Sequence, residues 1–377
     1  MRIAIVGAYP ADPGRMEGGI HSVVAYLVEG LRQESGAEIH VVTGVFPGES
    51  TEVRQVRGAW VHPFVWPRFG RLTFHRRAVA RMIQVLREIA PDVVHGQGPA
   101  ASYALAAMKS GFPYVVTWHA AMFREAAVVP GLVPHLVYAL DILYERYCWR
   151  HMREVIAISP YVEREYRAMT QARFHLIENP IVDPFFEIEG EGEEDRVFCA
   201  ARIIPRKDVL TLLQAFALLL RDRPQAQLRI AGEMTTDPAY ARQCQDFVAQ
   251  NGLEGSVRFL GHLGEAEILE EYRRCSLVAL SSRQETAPMM VAQAMAAGRA
   301  VVATPVGGTP WLVEHGVTGL LSPCCDPRRM ALALRRLLED HSLRRWMGQQ
   351  GHEQAERRFR TSAVARRTLE VYQKLIQ

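Results

Sequence analysis

The chain has 377 residues, too many for one ordinary core and enough for two, with 49% hydrophobic and 23% charged residues, the balance of a folded protein. Its 44 Lys and Arg against 41 Asp and Glu leave a net charge of +3, so the chain as a whole is not a polyanion binder. The cysteines (Cys148, Cys199, Cys244, Cys275, Cys324 and Cys325) form no Cys-x-x-C pair and no Cys/His cluster of zinc spacing, so free thiols in a reducing compartment are expected. The first strand pattern begins at Arg2, so no signal peptide is expected. The longest apolar stretches are strand-length or interrupted, as Leu132 to Leu143 is by Pro134, His135 and Asp141, so no membrane span is expected.

Arg2 to Gly7 (RIAIVG) is a short branched apolar run, the pattern of a strand covered on both faces in a parallel sheet. A loop ending Met16-Glu17-Gly18-Gly19 leads to a helix from about Ile20 to Gln33, and Ile39 to Thr43 is a second strand. The glycines after Gly7 are Gly14, Gly18 and Gly19, so the dinucleotide fingerprint G-x-G-x-x-G is absent. Gly18-Gly19 reads either as an ordinary turn or as backbone that approaches a ligand closely. Trp60 to Arg87 holds no acidic residue but Arg68, Arg71, Arg76, Arg77, Arg81 and Arg87, with Trp66 and Phe69 among them. From Arg76 onward Val79, Met82, Ile83 and Leu86 share one helical face. The basic remainder is either a solvated face or a surface for an anionic acceptor or membrane, with Arg68, Arg71, Arg76, Arg77 and Arg81 as the contacts. Asp92 to His95 and Tyr114 to Trp118 are further strands. The second runs into His119, which is either a structural histidine or a site residue just past a strand end. Glu154 to Ser159 and Phe174 to Glu178 complete this sheet.

Glu187 to Arg196 (EIEGEGEEDR) is acidic and lacks apolar periodicity. We place a linker at 187–195, an N-terminal domain at 1–186 and a C-terminal domain at 196–358. Val197 to Ala201 restarts the strand–helix alternation and leads into Arg202-Ile203-Ile204-Pro205-Arg206-Lys207-Asp208, then a helix to about Leu220. Leu228 to Gly232 and Val257 to Gly261 are strands, the latter followed by His262 and Leu263. Leu277 to Leu280 is a buried strand and Ser281 to Pro288 a polar loop. Met289 to Ala297 is a helix, with Pro288 near its start and Gly298 at its stop. Ala300 to Ala303 is a strand ending in Thr304-Pro305-Val306-Gly307-Gly308. This βαβ unit brings Glu285 to the carboxyl end of a strand. The helix N-terminus near Met289 adds N–H groups that suit a phosphate. Arg328 to Gln377 is a set of basic amphipathic helices.

The stretch from Ser281 to Leu321 resembles the signature of the retaining nucleotide-sugar glycosyltransferases of family four. There a Glu follows a strand, seven residues intervene, and a second Glu sits on the helix before an Ala-rich turn, a strand and a Gly-Gly loop. Gln293 replaces the second Glu, and Thr286, Ala287 and Pro288 replace the usual glycines. Asn179-Pro180-Ile181-Val182-Asp183 is similar to the family's domain-closing turn, and Ala120 stands where the family often has Asp after the histidine. The resemblance implies a GT-B architecture: α/β, two Rossmann-like doubly wound parallel-sheet domains facing across a cleft, with 359–377 crossing back onto the N-terminal domain. It implies catalytic roles for His119 at the donor sugar, Glu285 on sugar hydroxyls, and Arg202 and Lys207 on the diphosphate. The implied donor-binding set is Gly18, Gly19, Gly232, His262, Leu263, Ala287, Met289, Met290 and Gln293, with Gln293 at the ribose.

The implied activity is retaining, metal-independent transfer from a UDP- or GDP-sugar to a hydroxyl of a glycan, lipid-linked or small-molecule acceptor. A leaving diphosphate needs positive charge, and no Asp-x-Asp metal motif is evident at a strand end. No metal, cofactor or nucleic-acid partner is expected, and the location is expected to be cytoplasmic, with peripheral contact to the inner face of the membrane as one reading. The alternatives are another GT-B enzyme, such as an epimerase or phosphorylase, and a non-catalytic sugar-nucleotide-binding protein.

Overall fold

The computed structural model describes residues 1–10, 18–67, 70–98, 101–129 and 131–377. The described chain forms two compact units. One is built from Met1–Ala127, Gly131–Pro180 and Thr361–Gln377, the other on Ile181–Arg360.

In the first unit the strands are β1 (Arg2–Val6), β2 (Glu38–Val45), β3 (Arg54–Val56), β4 (Ala59–Val65), β5 (Val93–Gln97), β6 (Tyr114–Trp118), β7 (Glu154–Ala157) and β8 (Arg173–Leu176). They lie in the order β3-β4-β2-β1-β5-β6-β7-β8. All described pairs are parallel except β3 with β4. The apolar run of β1 is fully covered from Ile3 to Val6, as expected of a central parallel strand. The pattern read over Trp60 to Arg87 needs correction. Its first part is β4, joined to β3 by a tight turn at Arg57-Gly58, both at positive φ (51° and 80°). Such a turn matches the twist of a hairpin. β4 also contains Pro63, which has no N–H to give to a neighbouring strand. Pro63 lies beyond Val61, which pairs with Arg54 at the end of the hairpin, where a missing N–H breaks no bond to β3. The helix Arg76–Ile89 buries Ala78, Val79, Met82, Val85, Leu86 and Ile89, and Ile83 lies at the margin of that face.

The C-terminal helix Thr361–Ile376 packs in this unit against Gly19–Ser35. A Cβ on Gly30 would lie 2.7 Å from Thr361, so the two backbones approach closely there. Tyr372 reaches β5, where its hydroxyl meets His95 Nδ1 at 2.6 Å.

In the second unit β9 (Arg196–Ala200), β10 (Gln227–Ala231), β11 (Val257–Gly261), β12 (Leu277–Leu280), β13 (Ala300–Ala303) and β14 (Gly319–Leu321) form an all-parallel sheet. Its order is β11-β10-β9-β12-β13-β14. The segment 187–195 is tied into this unit. Asp195 accepts from Arg223 at 2.6 Å and Gln225 at 2.8 Å, Glu193 from Arg196 at 2.8 Å, and Glu191 pairs with Arg345 at 2.5 Å. Contacts divide the chain at Pro180 and Ile181.

Both sheets run outward from their first strand in opposite directions, the doubly wound order. In such sheets ligands bind past the carboxyl ends of the strands where the order reverses. In the first unit that point lies between β1 and β5, in the second between β9 and β12.

Candidate functional site

In the second unit the loops after β9 and β12 meet at the reversal point. After β9 the chain makes a short 3-10 turn, Pro205–Lys207, and Asp208 at φ 47° starts the helix Val209–Leu219. After β12, Ser281 Oγ donates to the carbonyls of Lys207 (3.2 Å) and Asp208 (2.9 Å). Arg283 N donates to the Arg206 carbonyl at 2.8 Å, and the Arg206 guanidinium donates back to the Gln284 carbonyl at 3.0 Å. These reciprocal bonds fix one loop on the other and bring Lys207 to Glu285.

Glu285 is 5% exposed. Its carboxylate accepts from Lys207 Nζ and from Ser282 Oγ at 2.6 Å, and Arg206 lies 3.8 Å away. Burial opposes its ionisation, but the charges of Lys207 and Arg206 and the hydrogen bonds from Lys207 and Ser282 outweigh it and hold the carboxyl below its ordinary value. Burial likewise pulls the Lys207 ammonium below its ordinary value, with Glu285 opposing. Behind the carboxylate, Gly308 N donates to the Glu285 carbonyl at 3.0 Å, and a Cβ on Gly307 (φ 56°) would fall 1.6 Å from that oxygen. Only glycine fits there.

Arg202 is exposed beside this cluster, and its charge acts on Lys207. The sequence points to Arg202 and Lys207 but not to Arg206, which is buried and lies 3.8 Å from Glu285. The one signal available was its place in the same loop, since nothing local marks an arginine as buried. Glu233 was also missed. It follows β10 and accepts from the Thr235 and Thr236 backbone N–H groups at 2.8 and 2.9 Å and from the Thr235 hydroxyl at 2.8 Å. Burial opposes its ionisation, but these bonds hold the carboxyl at about 2.

Gly232 sits at the end of β10 with a backbone reason for being glycine, because its Cβ would lie 1.9 Å from the Ala201 carbonyl. His262 is exposed and Leu263 half-buried just past β11. On the helix Met289–Ala296, Met289 is half-buried and Met290 buried, while Ala287 is half-buried in the loop before it. The Gln293 amide oxygen accepts from the Tyr272 hydroxyl at 3.2 Å, and that hydroxyl also donates to the Met290 carbonyl at 2.9 Å.

In the first unit His119 follows β6 directly. Its Nε2 meets Gln97 Oε1, at the end of β5, at 2.8 Å. Burial pushes this imidazole down to about 4, so it is neutral near pH 7. Gly7, after β1, leaves room for Gln97, whose Cβ would lie 2.7 Å from a Cβ there. Gln97 was not singled out in the sequence. Gly18 (φ 89°) caps the helix that Gly19 begins. Met16 and Glu17, just before them, lie outside the described residues. In the basic stretch, Arg71 pairs with Asp141 at 3.3 Å, Arg81 donates to Gln84 at 2.9 Å, and Arg76, Arg77 and Phe74 are exposed. Arg68 and Phe69 lie outside the described residues. Among the described residues no group of three or more His, Cys, Asp or Glu could hold a metal ion, and no helix is long and apolar enough to cross a membrane.

Residues 183–354 match the family model of glycosyl transferases group 1, and residues 17–183 that of glycosyltransferase family 4. Among curated proteins, the D-inositol 3-phosphate glycosyltransferase of Kineococcus radiotolerans is 35% identical over 189 residues, which is 47% of this chain and 43% of that protein. The protein of the same name from a Nocardioides species is 33% identical over 186 residues, 46% of this chain and 40% of that protein. The matches thus span less than half the length of these relatives. Among solved structures, sucrose-phosphate synthase from Thermosynechococcus elongatus superposes with a TM-score of 0.84 at 20% identity, covering 99% of this chain and 98% of that one. Anabaena HepE in complex with UDP and glucose superposes with a TM-score of 0.76 at 20% identity, covering 98% and 99%. At that identity the likeness establishes the fold, which is GT-B. With both halves matched to glycosyltransferase models, the chain belongs to the group 1, family 4 glycosyltransferases.

Proposed function

We propose that this chain transfers a sugar, with retention of configuration, from a nucleotide-sugar donor to an acceptor hydroxyl, without a metal. The observation that carries this reading is the cluster of Arg206 and Lys207 on Glu285 at the reversal point of the second sheet, with Arg202 beside it. Three cations stand against one carboxylate. That surplus suits the negative charge that grows on a departing diphosphate. Each charge-assisted hydrogen bond to it is worth roughly 1.5–3 kcal/mol. Glu285, held ionised, accepts from sugar hydroxyls rather than attacking carbon. The acceptor enters on the face the leaving group departs from, and the departing phosphate oxygen takes its proton. His119, a neutral ring, contacts the donor sugar. The helix N-terminus at Met289 and Met290 and the backbone at Gly232, His262, Leu263 and Ala287 complete the donor set, with Gly18 and Gly19 at the phosphate and acceptor.

UDP is the first nucleotide to test, because solved neighbours hold UDP or UDP-glucose. The acceptor class stays broad: a glycan, a lipid-linked or a small-molecule hydroxyl. The exposed Arg76, Arg77 and Arg81, with Arg71, support peripheral contact with an anionic membrane. If so, binding to phosphatidylglycerol vesicles falls as salt rises, because exposed charges are screened over about 8 Å at physiological ionic strength. No vesicle binding at low salt leaves a solvated face.

The test is a panel of UDP- and GDP-sugars scored by thermal stabilisation in EDTA, then by turnover and the product's anomeric coupling constant. A β product from an α donor, or activity lost in EDTA and restored by Mg²⁺, overturns the mechanism. Gln293 favours a second reading, a non-catalytic sugar-nucleotide-binding protein, because its amide oxygen is engaged by Tyr272. Binding without turnover across the panel selects it.

A further inference from the structure

Cys324 and Cys325 lie between β14 and the helix Pro327–Glu339, with their sulfurs 3.5 Å apart. Cys325 is exposed and holds a left-handed backbone at φ 57°, unusual for a residue other than glycine. The pair touches both loops that hold Lys207 and Glu285. Cys325 Sγ lies 3.4 Å from the Asp208 carboxylate and within hydrogen-bond contact of the Arg283 guanidinium, and Cys324 Sγ lies 4.0 Å from the Ser282 carbonyl. Asp208 follows Lys207 directly, and Ser282 supplies a hydrogen bond to Glu285. The four remaining cysteines are buried.

We propose that Cys324 and Cys325 are a thiol modification site, closed to a disulfide by small-molecule disulfides, whose oxidation loosens the Lys207–Glu285 loops. Cys325 is the exposed member of the pair, so it meets the small-molecule disulfide first. It displaces one thiol of glutathione disulfide and forms a mixed disulfide. Cys324, whose burial pushes its thiol up to about 11, then attacks the Cys325 sulfur and expels the second glutathione. Two electrons and two protons pass from the pair to two glutathione thiols. Adjacent Cα atoms lie about 3.8 Å apart, below the usual span for disulfides, so the bond is strained and easily reduced. Closing it brings the sulfurs to about 2.05 Å, which pulls them from Asp208, Arg283 and Ser282. The link from these loops to nucleotide binding rests on the reading under Proposed function, whereas the thiol chemistry and the loop response do not.

The experiment uses the full chain, with excess glutathione disulfide followed by dithiothreitol. The expected result is loss of the mass of two hydrogens, mapped to the peptide holding Cys324 and Cys325. Amide hydrogen exchange over Ser281–Glu285 rises about tenfold and returns on reduction. Cys324→Ser and Cys325→Asn, the latter suited to positive φ, lose both responses. No reaction, an unresolved glutathione adduct, or a disulfide that leaves exchange unchanged overturns the proposal. UDP titration of the reduced chain is the separate arm. Absence of UDP binding there removes the nucleotide reading, and the mass and exchange results still decide the thiol site.

Discussion

Glu285 and Lys207 illustrate how one residue's charge depends on another across the fold. The carboxylate is buried and stays ionised only because cations and a hydroxyl face it. Removing Lys207 alone takes away the nearer of the carboxylate's two cations and leaves only Arg206 and Ser282 facing it, which costs up to about 3–5 kcal/mol, the range for broken buried pairs. Lys207→Met should therefore lower Tm clearly, whereas Lys207→Met with Glu285→Gln should recover much of the loss, measured by thermal unfolding. If the pair binds diphosphate and sugar, both proteins lose at least tenfold in kcat/KM, about 1.4 kcal/mol of transition-state stabilisation. Glu145 makes a different prediction. It is buried against Tyr166, and Met122 N donates to it at 3.1 Å. Burial lifts its carboxyl to about 7. A folded value above the unfolded one means that the folded chain holds the proton longer, so stability falls as pH rises from about 4.5 to about 7. Glu145→Gln removes this dependence, and its Tm relative to the parent should rise between pH 5 and pH 8, by the equivalent of up to roughly 3 kcal/mol. Glu285 could be read from the sequence because a strand, a loop and a helix frame it locally. Arg206, Gln97 and Glu145 could not, because their partners arrive from remote segments.

At the scale of elements, close backbone contacts set which glycines are indispensable. Gly232 and Gly307 leave no room for a methyl group, with backbone oxygens 1.9 and 1.6 Å from where it would lie. Gly232→Ala and Gly307→Ala should each cost roughly 2–4 kcal/mol by forcing strand ends or loops apart. Gly255→Ala, with nothing within 4 Å, should be close to neutral. Chemical denaturation of the three variants checks the contrast. Most buried strands were legible as short branched runs, and β12 and β13 lie where the pattern places them. β3 and β4 were not, because β4 mixes His62 and Pro63 with exposed Trp60 and Val65, and the Arg57-Gly58 turn is a weak signal.

For the whole molecule, two sheets with the same reversal of strand order carry the recognisable pattern, and the return of βα alternation after Glu187 to Arg196 made that repetition legible. Which helix completes which unit was not legible from periodicity. Thr361–Ile376 belongs with the first, where Val364, Ala365, Leu369, Val371 and Tyr372 are buried. Deleting 361–377 should strip those contacts and the Tyr372 bond to His95. Calorimetry should then show loss or lowering of the transition from the first unit while that of Ile181–Arg360 persists. A single unchanged transition would contradict this. The central claim is that the cations after β9 and the carboxylate after β12 form a nucleotide-diphosphate site. Its most direct test is calorimetric titration of the reduced full chain with UDP in EDTA, alongside the folded Lys207→Met, Glu285→Gln protein. The expected result is saturable one-site binding that weakens at least tenfold in the double variant, about 1.4 kcal/mol. Equal affinity in both proteins, or binding that appears only with added Mg²⁺, would contradict it.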